Sequence, residues 1–445
     1  MRHLYLFFFI VLAINLSAQI KLINESYYEF PVQEAVFAKT SDTQPAWVLI
    51  AKDDATPSVE VAVTEVLMMS APNLATMTAP TDTDDPVLST EKIQEVSKAD
   101  KALFFILKPN GTRIDLGLGE RMIHGTENEI VTYCDAHKKI RKFAIKDNYL
   151  QLKDSLMYSE MTDMSSYVRV VFSPNNTPFY VAEMIYKSTR IYTLFTRDFK
   201  KIYELKLQKS DTYDNFISFS APSDKQIRAF YTGKTTYNIV SIETENGKKQ
   251  EIQGECACQS STLMTMGIVE MRKDEYVVYH GCYDSRSTVL YAYTADNQLK
   301  WTRKLGNYFN DFAYLSSTQT LTGRVYSVPY SGFITVNATD GKIIAETPAS
   351  ASFAEVAEVA KAHLFVYMPM QLRALPNGKK TICSLNGYSP TNSDISKNKL
   401  VASDGKTEQG LVFPDNLPKS FQFSLLGENR ISVLNGNRTA IYEIQ

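Results

Sequence analysis

Cys256-Ala257-Cys258 and, 22 residues further on, His280-Gly281-Cys282 form the densest group of reactive side chains in a sequence of 445 residues with five cysteines and five histidines. Thiols and imidazole at this spacing support three kinds of chemistry. One is a disulfide from Cys282 to Cys256 or Cys258; alternate residues of an extended segment face opposite ways, so only one of the two is aimed at Cys282. Another is a zinc site of Cys256, Cys258, Cys282 and His280, whose donor atoms suit the metal although C-x-C is tighter than the usual spacing. The third is a set of unpaired thiols. An odd number of cysteines cannot all pair within one chain, so Cys134, Cys383 or a member of the cluster stands apart.

Other signatures of catalysis are missing from the sequence. It has no G-x-S-x-G nucleophile elbow, no H-E-x-x-H zinc helix and no phosphate-binding G-x-x-x-x-G-K-[ST] loop. Thr81-Asp82-Thr83-Asp84-Asp85 offers oxygen ligands to calcium but lacks the glycine and the distal glutamate of a calcium loop. His124, His137, His280 and His363 read as structural, and Lys138-Lys139-Ile140-Arg141-Lys142 reads as the solvated face of a strand. Catalytic residues are therefore unassigned, and no metal or cofactor is expected.

The amino terminus bears on the thiols. Met1-Arg2-His3 precedes an apolar run that begins at Leu4 and ends at Ser17-Ala18, the layout of a cleavable export signal over residues 1–18. Export to the periplasm or the medium follows, and an oxidising compartment favours the disulfide among the three readings. Without the signal 427 residues remain, with a net charge of −3, because the signal takes one basic residue from 47 and no acid from 49. That balance gives no reason to expect nucleic acid as a partner. No later run reaches the ~20 apolar residues of a membrane-spanning helix.

The elements that position these residues read as strands. Tyr and Phe are abundant at 26 and 23, and short alternating runs such as Gln226–Tyr231 and Tyr237–Ile242 are separated by turn signals. Turn residues recur at Asn110, Asn148, Asp198, Asn246, Asn297, Asp340 and Asp404, with steps of 38, 50, 48, 51, 43 and 64 residues. A period near fifty suits a four-stranded propeller blade, each turn joining the two outer strands. An all-β single β-propeller over residues 19–445, of seven blades with six or eight as alternatives, is the fold this spacing predicts. Residues 70–99 read as a long polar insertion, and residues 371–399, with the extra turn signal Pro376-Asn377-Gly378, as an irregular segment. The closing strands Phe421–Leu426, Arg430–Leu434 and Thr439–Ile444 are expected to pair with Ile20–Ile23, which removes both exposed sheet edges.

Two segments carry a family resemblance. Leu290-Tyr291-Ala292-Tyr293-Thr294-Ala295-Asp296-Asn297-Gln298-Leu299-Lys300-Trp301-Thr302-Arg303-Lys304-Leu305-Gly306 resembles the repeat of quinoprotein-dehydrogenase-like propellers, and Gly332-Phe333-Ile334-Thr335-Val336-Asn337-Ala338-Thr339-Asp340-Gly341-Lys342-Ile343-Ile344 looks like a second copy. The resemblance implies that each segment is an outer hairpin and that Trp301 packs between blades. It implies fold more than function, because propellers host enzymes and binding modules alike. A non-enzymatic module that binds a protein or glycan at one end of the ring is the leading expectation. The alternative is a glycan-active hydrolase or lyase with carboxylates or Tyr in the central funnel. A quinone-dependent dehydrogenase is a third reading, for which no site residues can be named.

Overall fold

Val, Ile, Tyr and Phe at alternate positions, with Asn and Asp at the interruptions, build strands and little else. A computed structural model describes residues 20–39, 42–52, 103–117, 119–161, 165–186, 189–208, 212–233, 236–256, 263–282, 287–306, 309–325, 333–346, 366–388, 396–412 and 421–445. The described residues form eight four-stranded antiparallel sheets. Each sheet is a blade whose first strand lies innermost. The inner strands are Val32–Val36, Glu120–Gly125, Ser165–Phe172, Thr212–Ser223, Leu263–Glu270, Phe309–Leu315, Val366–Ala374 and Phe421–Leu425, for blades one to eight.

Seven blades were expected and eight are present. The reason lies in the last blade, where Phe421–Leu425, Arg430–Asn435 and Arg438–Ile444 are completed by the amino-terminal strand Ile20–Tyr27, with Ile20 opposite Ile444 and Tyr27 opposite Arg438. All seven recurrent turns do join the two outer strands of a blade. The closing blade has no such turn, so a count of outer hairpins falls one short. Pro376-Asn377-Gly378 joins the two inner strands of blade seven, Val366–Ala374 and Thr381–Tyr388, so the stretch read as irregular from residue 371 contributes regular strands. The insertion expected at 70–99 and the export signal at 1–18 lie outside the described residues. In chain order, residues 53–102 join Trp47–Lys52 to Leu103–Leu107 of blade one.

The turns show why Asn and Asp recur. Asn110, Asn246, Asp340 and Asp404 each accept, through a side-chain oxygen, the backbone N–H two residues on, at 2.7–3.1 Å. A left-handed residue follows in most of them, with φ of +83° at Gly111, +72° at Gly247, +62° at Asn297 and +72° at Gly341. In the turn at Asn297, Thr294 and Gln298 are bridged backbone to backbone and Asn297 N–H donates to Thr294. That is a three-residue loop ending in a left-handed residue, one residue longer than the tightest hairpins.

Apolar side chains collect at the junctions between blades. Every junction has its own cluster: Trp47, Ile106 and Ile130 between blades one and two, Tyr133, Ile140 and Tyr180 between two and three, and so on to Val32, Ile50 and Leu434 between eight and one. A blade cannot bury its two faces alone, so stacking against both neighbours supplies the core. The basic run at 138–142 departs from its expected solvated face. Lys138 is buried and pairs with Asp135 at 2.6 Å, and the buried Lys142 donates to the Arg197 carbonyl at 2.9 Å. Both are held at blade junctions, where their stems pack and their ammonium groups find acceptors.

Candidate functional site

Inner strands face the axis of the ring, and six of the eight are interrupted by a β-bulge. An extra residue twists a strand and re-aims the side chains that follow. Register resumes on a polar residue in five of these strands: Glu34, His124, Thr265, Asp311 and Gln371. Several of these reach the next inner strand. The Thr265 hydroxyl donates to the Phe309 carbonyl at 2.9 Å, Asp311 pairs with Arg373 at 3.2 Å, and Gln371 Oε1 accepts the Phe423 N–H at 3.3 Å. Arg169 does the same from blade three, donating to the Ile217 carbonyl of blade four at 3.3 Å. The funnel wall is thus stitched by side chains from strand to strand.

Two funnel carboxyls are held away from the usual range. Glu34 is half-buried, has no ion pair or hydrogen bond to a described residue, and is pushed up to about 7 by burial alone. Asp311 is also raised, chiefly by burial, against the opposing pull of Arg373 and the hydrogen bond from Tyr279, whose hydroxyl donates to Oδ1 at 3.2 Å. A carboxyl near neutrality can give or take a proton at physiological pH. His124 packs edge-on to Phe172, with ring centroids 5.0 Å apart, and is lowered to about 4 by burial, then by Arg197 and Lys142. It stays neutral at pH 7.

The cysteine cluster lies at the junction of blades four and five. Cys256 and His280 are buried, and Sγ of Cys256 is 3.5 Å from His280 Nε2. Burial lowers His280 to about 4, so the imidazole is neutral and a poor acceptor for a thiol proton. Cys282 is disulfide-bonded, whereas Cys134, Cys256 and Cys383 are thiols outside any disulfide. Cys256 therefore leaves the pairing expected for it as one of two candidates. Cys258 lies outside the described residues. Among the described residues, no three His, Cys, Asp or Glu side chains converge as metal ligands.

Trp301 stands on the outer strand Leu299–Leu305 of blade five, half-buried, with its indole N–H donating to the Ala338 carbonyl of blade six at 3.1 Å. Its ring fits over Gly341, where an added Cβ would come within 2.7 Å of it. Ala345 occupies the matching place on the next blade, opposite Thr335 as Trp301 is opposite Ala292. Sequence reasoning passed over Trp47, which is the more deeply buried tryptophan and makes the same kind of link. Its indole N–H donates to the Thr126 carbonyl of blade two at 2.9 Å, and its ring covers Gly125. Glu34, Asp311 and Arg373 were missed as well. A bulge is invisible in an alternating strand, and nothing in Val32-Gln33-Glu34-Ala35-Val36 marks one polar residue as axial.

Among the described residues no helix is long and apolar enough to cross a membrane. No family model matches the chain, and no curated protein does. Solved structures similar to it are propellers. The Dos1 propeller shares 8% identity over 76% of this chain and 86% of its own, with a TM-score of 0.46. The WD40 domain of SCAP from fission yeast shares 7% over 77% and 89%, at 0.41. A hypothetical selenium-binding protein from Sulfolobus tokodaii shares 8% over 77% and 89%, at 0.42. At such identities and TM-scores the likeness carries no argument of its own; the eight four-stranded antiparallel sheets make the chain an all-β propeller.

Proposed function

We propose that the chain is exported and acts as a non-enzymatic module that binds a protein or glycan at one end of the ring. The observation that supports this is where the chain spends its length. In an antiparallel blade the first and third turns lie at one end, and the middle connection and the link to the next blade lie at the other. At the first end the connections are mostly two to six residues, such as 224–225, 294–298 and 404–407. At the second end the strands are separated by up to fifty residues, as between Lys52 and Leu103, or nineteen, as between Glu346 and Val366. Rigid scaffolds carry recognition on their longer connections. Cross-linking of the tagged protein in its native envelope or medium, followed by identification of the captured molecule, tests this reading. Recovery of the uncleaved chain in the cytoplasm refutes the export step, and repeated capture of nothing refutes the module.

A second reading keeps the ring as a glycan-active hydrolase or lyase. Glu34, raised to about 7 by burial and without an ion pair or hydrogen bond to a described residue, favours it, because acid catalysis on glycosides needs a carboxyl that holds its proton at working pH. Activity on a polysaccharide panel, lost in Glu34→Gln, would establish it. The quinoprotein-like repeat gains support from the equivalent positions of its two segments, each an outer hairpin of adjacent blades five and six.

A further inference from the structure

A thiol lies against a disulfide where blades four and five join. The outer strand of blade four, Lys249–Glu255, ends one residue before Cys256, and the second strand of blade five, Tyr276–Cys282, ends on Cys282. Both strands run toward the end of the ring that carries the longer connections. Cys256 and Cys282 are buried there and pack against each other. Cys282 belongs to a disulfide, while Cys134, Cys256 and Cys383 are thiols outside any disulfide. The count of five cysteines therefore leaves Cys258 as the sulfur bonded to Cys282, two positions along the chain from the thiol.

The side chains around that thiol come from both blades. Sγ of Cys256 is 3.5 Å from Nε2 of His280, which is fully buried and whose Nδ1 meets no hydrogen-bond partner. Tyr237 of blade four and Tyr291 of blade five flank the imidazole, with ring centroids 6.4 and 5.5 Å away. The hydroxyls of Tyr237 and Tyr293 are hydrogen-bonded to each other, and the Tyr291 hydroxyl donates to the Glu255 carbonyl at 3.4 Å. An imidazole and phenols thus face the thiol. None of them is a cation at pH 7, since burial keeps His280 neutral.

We propose that Cys256 is the internal exchange partner of this disulfide, so that Cys282 can be bonded to either Cys258 or Cys256. Cys256 gives its S–H proton to water and the thiolate attacks Sγ of Cys282. A Cys256–Cys282 bond forms, the Cys258–Cys282 bond breaks, and Cys258 leaves as a thiolate that takes a proton back from water. No electrons are gained or lost overall, so neither an oxidant nor a reductant is needed. The product ties the end of the outer strand of blade four directly to blade five. Only a thiolate attacks a disulfide, and the neutral imidazole offers it no positive charge, so the exchange is slow near neutrality and quickens as pH rises. The step needs no ligand and stands apart from the binding reading.

Peptide mapping of the full chain is the test. The native protein is held at about pH 6 or about pH 9, quenched with acid, unfolded without reductant and alkylated. At the lower pH the label should fall on Cys256. At the higher pH it should pass in part to Cys258, with a rate that climbs about tenfold per pH unit while the thiol is mostly protonated, and Cys282 should stay protected throughout. Cys258→Ser removes the resting partner, so Cys282 in that variant should be protected by Cys256. A label that stays on Cys256 at the higher pH overturns the proposal, and this arm decides even where Cys258→Ser does not fold. So does a labelled Cys282 in folded Cys258→Ser. Label reaching Cys258 in Cys256→Ser would show that some other group attacks the disulfide, and overturns it as well.

Discussion

Two tryptophans join neighbouring blades by the same device, and the difference in their burial sets different costs for removing them. A tryptophan side chain offers about 200 Å² of surface, and at about 25 cal/mol per Å² its full burial is worth ~5 kcal/mol. Trp47 is 1% exposed, so Trp47→Ala should cost most of that, about 4 kcal/mol once partial relaxation of the cavity is allowed for. Trp301 is half-buried on an outer strand, so Trp301→Ala should cost about 2 kcal/mol, below the 3–5 kcal/mol typical of a fully buried ring. Each variant also strips a donor from a turn carbonyl, Thr126 or Ala338, and solvent can replace it more readily at the outer position. Melting temperature is a blunt readout here, because a folded region of about 400 residues moves only ~1 °C per kcal/mol. Urea titration followed by far-ultraviolet circular dichroism is the better assay, since removing one of two tryptophans alters fluorescence directly. Equal midpoints for the two variants, or an unmoved midpoint for Trp301→Ala, would refute the assignment of stability to burial at the junctions.

Glu34 has a folded value near 7 against an ordinary 4.5, so folding takes up a proton between the two. Its contribution is therefore fully present below about pH 4.5 and is lost as pH rises through 7; Glu34→Gln should flatten that part of the stability profile, and an unchanged slope contradicts the burial. Deleting Ile20–Tyr27 exposes the strand Arg438–Ile444 as an open edge, so size-exclusion chromatography should show association or loss of the folded monomer. A monomer of native stability would count against closure. Alkylation after unfolding without reduction should label Cys134, Cys256 and Cys383 and leave Cys282 protected; of the five cysteines only Cys258 then remains as its partner, and a labelled Cys282 would remove the disulfide.

Outer hairpins were legible in the sequence because their chemistry is local. Asn246, Asn297 and Asp340 act within their own turns, so spacing alone places them. Ring closure was legible too, from the strand pattern at both ends. The blade count was not, since the eighth blade is made from residues about 400 apart and leaves no turn to count. Lys138 and Lys142 misled for a related reason: a basic run looks solvated until the turn folds Asp135 onto Lys138 and the neighbouring blade brings the Arg197 carbonyl to Lys142. The funnel wall was beyond reach, because the bulges that precede Glu34 and Asp311 depend on strand pairing, and pairing partners decide which side chain faces the axis.

Strand Ile20–Tyr27 is made about 400 residues before Arg438–Ile444, its pairing partner among the described residues. At about 5–20 residues per second the interval is roughly 20 to 85 s. During that time seven blades can form and stack in order while the first strand waits as an unpaired ribbon. Each finished blade shortens the effective loop that closure must span, so the entropic barrier to the final pairing falls as the ring grows. The arrival of Arg438–Ile444 is thus a timing event for the ring. A ribosome stalled just before Arg438 would hold a chain with seven blades and none of its closure.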